Sequence, residues 1–126
     1  MAEIVQIHEG VAIRSYAIEK AVIRIGRHPD NDIFIDEKVV SMEHAQIKAL
    51  QDPDENGRQR YSIEDLESTN CTFVNDRKIT RTLLNDNDLI RVGWSTFKFV
   101  DTQERTAEKT HRIYKSWIPG VYYTKD

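Results

Sequence analysis

The chain has 126 residues, the usual size of one domain, and 39% of them are hydrophobic and 31% charged. Its net charge of −3 argues against a partner bound through a broad basic surface, so bulk nucleic-acid binding is disfavoured. The apolar runs are too short for a membrane span, the N-terminus does not resemble a signal peptide, and the single cysteine cannot form an internal disulfide. We therefore expect a protein of the cytoplasm, or of the nucleus if the source is eukaryotic, that does not act at a membrane.

The apolar residues recur with a period of two, which is typical of strands with one buried face. In the segment HAQIKAL, for example, Ala45, Ile47 and Ala49 alternate with Gln46 and Lys48. Similar strands are predicted at about residues 3–8, 11–18, 21–25, 32–36, 59–66, 72–75, 89–92 and 95–101. The turn-forming segments HPDN, DPDENG, VNDR and LNDND separate them, and this pattern predicts an all-β sandwich.

The period-two pattern of apolar residues ends before residue 102. We expect one sandwich domain over residues 1–101 and a C-terminal tail over residues 102–126. The tail begins with polar residues that could form a short helix near 103–112. It ends with aromatic residues, which suggest that it docks against another surface: Trp117, Tyr122 and Tyr123.

Three predicted loops carry residues suited to binding an anion. Arg27 follows the third strand, Ser41 precedes the HAQIKAL strand, and Ser68, Thr69 and Asn70 precede the strand at 72–75. Loops gather at the ends of a sandwich, and an arginine fork with hydroxyl and amide donors matches the oxygens of a phosphate. No nucleophile with a neighbouring base is apparent, so we expect binding of a phosphate rather than its cleavage, and no enzyme.

Four segments in order carry a family resemblance over about residues 3–101: Gly26-Arg27, Ser41-x-x-His44, Ser68-Thr69-Asn70 with the following TFVN, and LNDNDLIRVG ending at Gly93. Together they resemble the ordered motifs of a forkhead-associated (FHA) domain. The resemblance implies a β-sandwich of about eleven strands that binds phosphothreonine peptides downstream of Ser/Thr kinases. The implied partner is a phosphothreonine protein, either a kinase or its substrate.

The resemblance also implies roles for single residues. Arg27 and Ser41 would hold the phosphate, Thr69 would contact the phosphothreonine, and Asn70 would bind the peptide main chain. The neighbouring residues Ser68, Met42 and Lys38 complete the expected phosphopeptide-binding set. For the peptide residue three positions after the phosphothreonine, Lys38 would favour an acidic side chain, whereas Val39 and Val40 would favour an aliphatic one, and the sequence leaves both open.

Three residues are expected to support the site rather than contact the peptide, namely Gly26, His44 and Asn75. Two departures from the family pattern concern the pocket. Met42 stands where an arginine or another polar residue is common, so the pocket should be less basic than most. Cys71 stands where glycine is common, and a positive φ at this residue would cost about 1 kcal/mol.

Some of these residues also have other interpretations. Arg27 could cap a turn with Asp30 or Asp32, and Ser41 could be a simple turn hydroxyl. The segment DPDENG matches the start of a calcium loop, but Ile63 occupies the twelfth position, so a polar hairpin is expected. The histidines and the cysteine show no metal-ligand spacing, and no cofactor motif is present.

Two further hypotheses concern partners. One is that the chain is a degenerate FHA sandwich that associates with proteins independently of phosphate. The other is self-association, in which a phosphorylated tail threonine, Thr106 or Thr110, enters the pocket of its own or a neighbouring chain.

Overall fold

The computed structural model describes residues 2–54 and 57–101, and these contain eleven strands and no helix. The strands are β1 (Ala2–His8), β2 (Val11–Ala17), β3 (Val22–Gly26), β4 (Ile33–Phe34), β5 (Ala45–Ala49), β6 (Tyr61–Asp65), β7 (Thr72–Val74), β8 (Arg77–Ile79), β9 (Arg81–Leu83), β10 (Leu89–Val92) and β11 (Ser95–Asp101). The prediction of an all-β sandwich is confirmed. The predicted tail and its helix lie outside the described residues.

The strands form two sheets. One has six strands in the order β2-β1-β11-β10-β7-β8, and the other has five in the order β4-β3-β5-β6-β9. Every pairing for which a register is described is antiparallel except that of β3 with β4. The chain crosses repeatedly between the sheets, which brings loops distant in sequence to the same end of the sandwich.

The core lies between the two sheets, and isoleucine is its most frequent residue. Ile23, Ile47 and Ile63 lie opposite one another on adjacent strands of the five-stranded sheet, and their side chains are almost fully buried. Phe99 of β11 meets Tyr61 of β6 with ring centroids 5.5 Å apart. Burying one such aliphatic side chain is worth about 1.5–3 kcal/mol, so the period-two pattern of the sequence accounts for the layered fold.

Two strands were missed by the sequence pattern, β8 and β9. Each has only three residues, and their sequences, RKI and RTL, show no apolar alternation. The hairpin between β7 and β8 turns at Asn75 and Asp76, with φ values of 52° and 67°. Positive φ at both central residues is the geometry of a type I′ turn, which suits the twist of the flanking strands.

Four connections meet at one end of the sandwich: 27–32, 35–44, 66–71 and the 93–94 turn. The last of these is held close to the 35–44 loop, because Glu37 accepts hydrogen bonds from the Trp94 amide and the Ser95 hydroxyl. Within the part of the chain that is described, no helix has the length and apolar character needed to cross a membrane.

Candidate functional site

The backbone at the end of β3 lies in close contact with the 35–44 loop. The amide of Arg27 donates to the carbonyl of Ser41 (3.0 Å), and the amide of His28 donates to the carbonyl of Met42 (3.3 Å). A Cβ at Gly26 would overlap that Met42 carbonyl and lie 2.7 Å from Nδ2 of Asn31. Only glycine therefore allows this approach of the two backbones, which places Arg27 at the edge of the loop.

The side chain of Arg27 is anchored through one nitrogen only. Its Nε donates to the carbonyl of Val40 (2.9 Å), so the two terminal nitrogens of the guanidinium remain available. Asp32 instead accepts hydrogen bonds from Lys20 and from the amide of Arg24. These contacts speak against a turn in which Asp32 caps Arg27.

The hydroxyl of Ser41 connects two loops. Its Oγ accepts a hydrogen bond from the amide of Thr69 (3.0 Å), which uses the oxygen as an acceptor and leaves the hydroxyl proton to donate. Asn70 makes a second connection, since its Nδ2 donates to the carbonyl of Val39 (2.8 Å). The amide oxygen of Asn70 is therefore left to accept a hydrogen bond from a ligand.

His44 is fully buried beneath these loops. Its Nδ1 accepts from the amide of Ser41 (3.0 Å), and its Nε2 lies 2.9 Å from the carbonyl of Cys71. An amide can only donate and a carbonyl can only accept, so these contacts require a neutral ring with the proton on Nε2. The imidazole thus fixes the distance between the 35–44 and 66–71 loops.

Cys71 adopts a φ of 68°, the conformation in which a glycine would be unstrained. The domain accepts this strain, and the Cys71 carbonyl bonds His44 while the preceding residue, Asn70, reaches the pocket. Asn87 also has a positive φ, of 75°, which asparagine tolerates well.

Ser68 turns away from the pocket. Its amide and hydroxyl both donate to the carboxylate of Asp65, which also accepts from the hydroxyl of buried Thr72 (2.8 Å). Burial alone would raise the pKa of Asp65, but the hydrogen bonds from Ser68 and Thr72 outweigh it and hold that pKa below its ordinary value. Ser68 thus stabilises the 66–71 loop through Asp65 and does not contact the pocket.

The loops border a cavity of about 280 Å³ that is open to solvent. Six of the seven residues predicted to bind the phosphopeptide line it, together with Val39 and Val40: Arg27, Lys38, Ser41, Met42, Thr69 and Asn70. Two of these side chains are cationic and none is a carboxylate. The arrangement can bind an anion through a guanidinium fork, an ammonium and neutral donors, whereas the described residues include no cluster suited to a metal ion.

Several supporting residues were not identified from the sequence. Asn31 is almost buried, and its Nδ2 donates to the carbonyls of His28 and Met42. Asp65 organises the 66–71 loop, and Glu37 ties the 35–44 loop to the 93–94 turn. Asn31 and Glu37 lie in loops and Asp65 lies at the end of β6, but polar residues are common at such positions and nothing in the sequence indicated which loop each would bind.

The sequence of this chain is similar to those of known proteins. The model of the FHA domain family matches residues 23–93. The oxoglutarate dehydrogenase inhibitor of Corynebacterium jeikeium is 35% identical over 78 residues, a match that covers 62% of this chain and 49% of that protein. The chain therefore spans about half the length of this curated relative.

Solved structures agree with the sequence match. Mycobacterium tuberculosis EmbR in complex with a low-affinity phosphopeptide is 37% identical, with a TM-score of 0.66 over 79% of this chain and 24% of that one. A domain from an analysis of phosphothreonine-dependent FHA domain interactions is 27% identical, with a TM-score of 0.66 over 79% of this chain and 95% of that one.

Proposed function

This chain belongs to the FHA domain family, and from that premise we propose that it is a phosphothreonine-dependent peptide-binding module that acts downstream of Ser/Thr kinases. The observation that carries the proposal is the convergence of Arg27, Ser41, Thr69 and Asn70 on one cavity that no carboxylate lines. Its partner would be a protein that carries a phosphothreonine, either a kinase or a kinase substrate.

The donors of the pocket suit a phosphate dianion. The free nitrogens of Arg27 and the hydroxyl of Ser41 each supply a charge-assisted hydrogen bond, worth roughly 1.5–3 kcal/mol. The unphosphorylated threonine hydroxyl would leave the guanidinium without its anion. Phosphorylation of the peptide would therefore decide whether the complex forms.

Asn70 has a separate part in the proposal. Because its amide nitrogen is engaged by Val39, its side chain is held with the oxygen free to accept from a peptide N–H. Thr69, whose amide bonds Ser41, lies beside it and would contact the phosphothreonine residue. The two residues would fix the peptide direction, while Arg27 and Ser41 hold the phosphate.

Lys38 gives the pocket a preference for acidic flanking residues. Val40 is only 1% exposed, and Val39 is half-buried with its carbonyl bound to Asn70, so neither presents a broad apolar surface to a peptide. Lys38 is exposed, lines the cavity, and has no carboxylate partner within the described residues. We therefore favour an acidic over an aliphatic residue near the phosphothreonine.

The proposed module is an adaptor without catalytic activity of its own, located in the cytoplasm, with the sandwich over residues 1–101 as the binding unit. Names such as dehydrogenase inhibitor among the relatives fit a regulator rather than an enzyme. The competing hypothesis, a degenerate sandwich with a phosphate-independent binding face, predicts that the pocket is dispensable. Self-association through Thr106 or Thr110 stays a hypothesis about residues outside the described part.

The test is a fluorescence-anisotropy titration of phosphothreonine peptides, with phosphoserine and unphosphorylated versions as references. Arg27→Ala should weaken phosphothreonine binding by about 2–5 kcal/mol, because it removes the guanidinium that would pair with the phosphate. Arg81→Ala, a matched change at an exposed position on β9, should leave affinity unchanged. Equal binding of phosphorylated and unphosphorylated peptides would overturn the proposal.

A further inference from the structure

The six-stranded sheet has an outward surface that the pocket does not use. Core residues on its strands alternate with residues that point away from the other sheet, and the strand register aligns these in rows. One row runs from Lys78 on β8 through Phe73 on β7 to Arg91 on β10, and Leu89 and Lys98 form the next row on β10 and β11. We name these five residues the outer basic face.

The outer basic face concentrates positive charge in a chain whose net charge is −3. Lys78 and Arg91 are separated by one intervening strand, about 10 Å, and Lys98 lies diagonally beside Arg91. Within the described residues none of the three has a carboxylate partner. Glu3, an acidic residue that points outward on the neighbouring β1, accepts a hydrogen bond from Ser15 instead.

The apolar part of the face is organised around an aromatic ring. The guanidinium carbon of Arg91 lies 4.1 Å from the centroid of the Phe73 ring, which fixes the cation above it. Leu89 is 42% exposed on the same surface. A partner on this face would therefore meet a preoriented guanidinium, two lysines and an apolar side chain together.

Solubility alone does not account for this distribution. Lysines on an edge strand prevent edge-to-edge association, and Lys78 on the edge strand β8 can serve that purpose. Arg91 and Lys98, however, are on β10 and β11, which are paired on both sides. The opposite sheet mixes its outward charges, since Arg24 pairs with Glu43, and Glu64 lies between Gln46 and Arg81.

We propose that the outer basic face is a second docking surface, which binds an acidic protein segment containing apolar residues. Carboxylates of the segment pair with Lys78, Arg91 and Lys98, and an apolar side chain packs on Leu89 beside Phe73. The face is separate from the phosphate pocket, so it binds whether or not the pocket is filled. Charge complementarity selects the partner, since the cations lack carboxylates within the described chain.

The test uses a labelled peptide of glutamates interrupted by leucines, with a lysine-for-glutamate version as reference. Chemical shifts of backbone amides in ¹⁵N-labelled protein should change over β7, β8, β10 and β11. The double variant Lys78→Glu with Lys98→Glu should weaken binding about fivefold. Lys48→Glu with Arg81→Glu, an equal change of charge on the other sheet, should leave it within about twofold.

The Arg27→Ala protein separates this surface from the pocket, because it should bind the acidic peptide as tightly as the wild type. Thermal melts establish that each variant is folded, and Lys78→Gln with Lys98→Gln replaces the charge reversal if that variant unfolds. Equal losses in the two double variants, or shift changes confined to residues 27–41 and 69–70, would overturn the proposal. Binding of a thymidine oligonucleotide but not of the acidic peptide would overturn it as well.

Discussion

The phosphate pocket and the outer basic face are both cationic, but they are built in different ways. The pocket is made by loops from separate parts of the chain, and its guanidinium is held by a backbone carbonyl of another loop. The outer basic face is made by neighbouring strands, whose register places Lys78 and Lys98, and its third cation, Arg91, is also held above the Phe73 ring. Removing one hydrogen bond should therefore damage the pocket strongly, whereas the face should lose its binding in small steps.

The largest effect on stability is expected at His44. Replacing it with alanine leaves the Ser41 amide and the Cys71 carbonyl without their buried partner, which should lower the free energy of unfolding by about 2–4 kcal/mol. Denaturant unfolding measures this change. His28→Ala, at a half-buried loop histidine, is the control and should cost less than about 1 kcal/mol.

His44→Ala also separates the two surfaces. Phosphopeptide affinity should fall because the 35–44 and 66–71 loops lose their spacer, while binding of the acidic peptide to the outer basic face should persist. A parallel loss at both surfaces in folded protein would show that they are not independent.

The next effect concerns Lys38 and the choice of peptide. Lys38→Glu should weaken binding of a phosphothreonine peptide with acidic flanking residues and strengthen its lysine-flanked counterpart, each by about fivefold, since each contact is a partly exposed ion pair. Anisotropy titration of both peptides against both proteins measures the exchange. If the variant weakens both peptides alike, Lys38 contributes only general charge.

A smaller effect is expected on the outer basic face. Arg91→Gln removes the cation above Phe73 and should lower the free energy of unfolding by about 0.5–1 kcal/mol. Arg81→Gln, at an exposed arginine on β9, is the matched control and should cost less. Thermal denaturation monitored by circular dichroism can compare the two, and equal stability would contradict a structural role for the stacked guanidinium.

The last prediction concerns how stability changes with pH. Because the pKa of Asp65 is lower in the folded protein than in the unfolded chain, its ionised form stabilises the fold above the unfolded pKa, and this stabilisation is lost as pH falls through the folded pKa. Asp65→Asn should therefore flatten the loss of stability below about pH 4. Unfolding curves at a series of acidic pH values, with Asp32→Asn for comparison, measure the contribution of each carboxylate.

Much of the fold was predictable because alternation reports burial directly. Strands such as β5 and β11 carry enough alternating residues to reveal their inward face, whereas β8 and β9 have three residues each and take their conformation from their partners. The motifs around Arg27 and Ser41 indicated which loops would meet. They could not indicate that Ser68 faces Asp65, because that choice depends on the three-dimensional path of the 66–71 loop.

The effects of the two departures from the family pattern could be seen only in the structure. Cys71 could have displaced its loop, yet it adopts the left-handed conformation and its carbonyl serves His44. Met42 contributes its carbonyl to the β3 junction, while its side chain, 43% exposed, lines the cavity without charge. Lys38 is then the second cation of the pocket, which explains why its charge should influence the choice of peptide.

The most direct measurement is a ¹⁵N chemical-shift titration of the wild-type protein with a phosphothreonine peptide and with its unphosphorylated form. The proposed function predicts large changes at Arg27, Ser41, Thr69 and Asn70 with the phosphorylated peptide only, and little change over β7, β8 and β10. Equal changes with both peptides, or changes centred on the outer basic face, would contradict the assignment of the pocket as the phosphate-reading site.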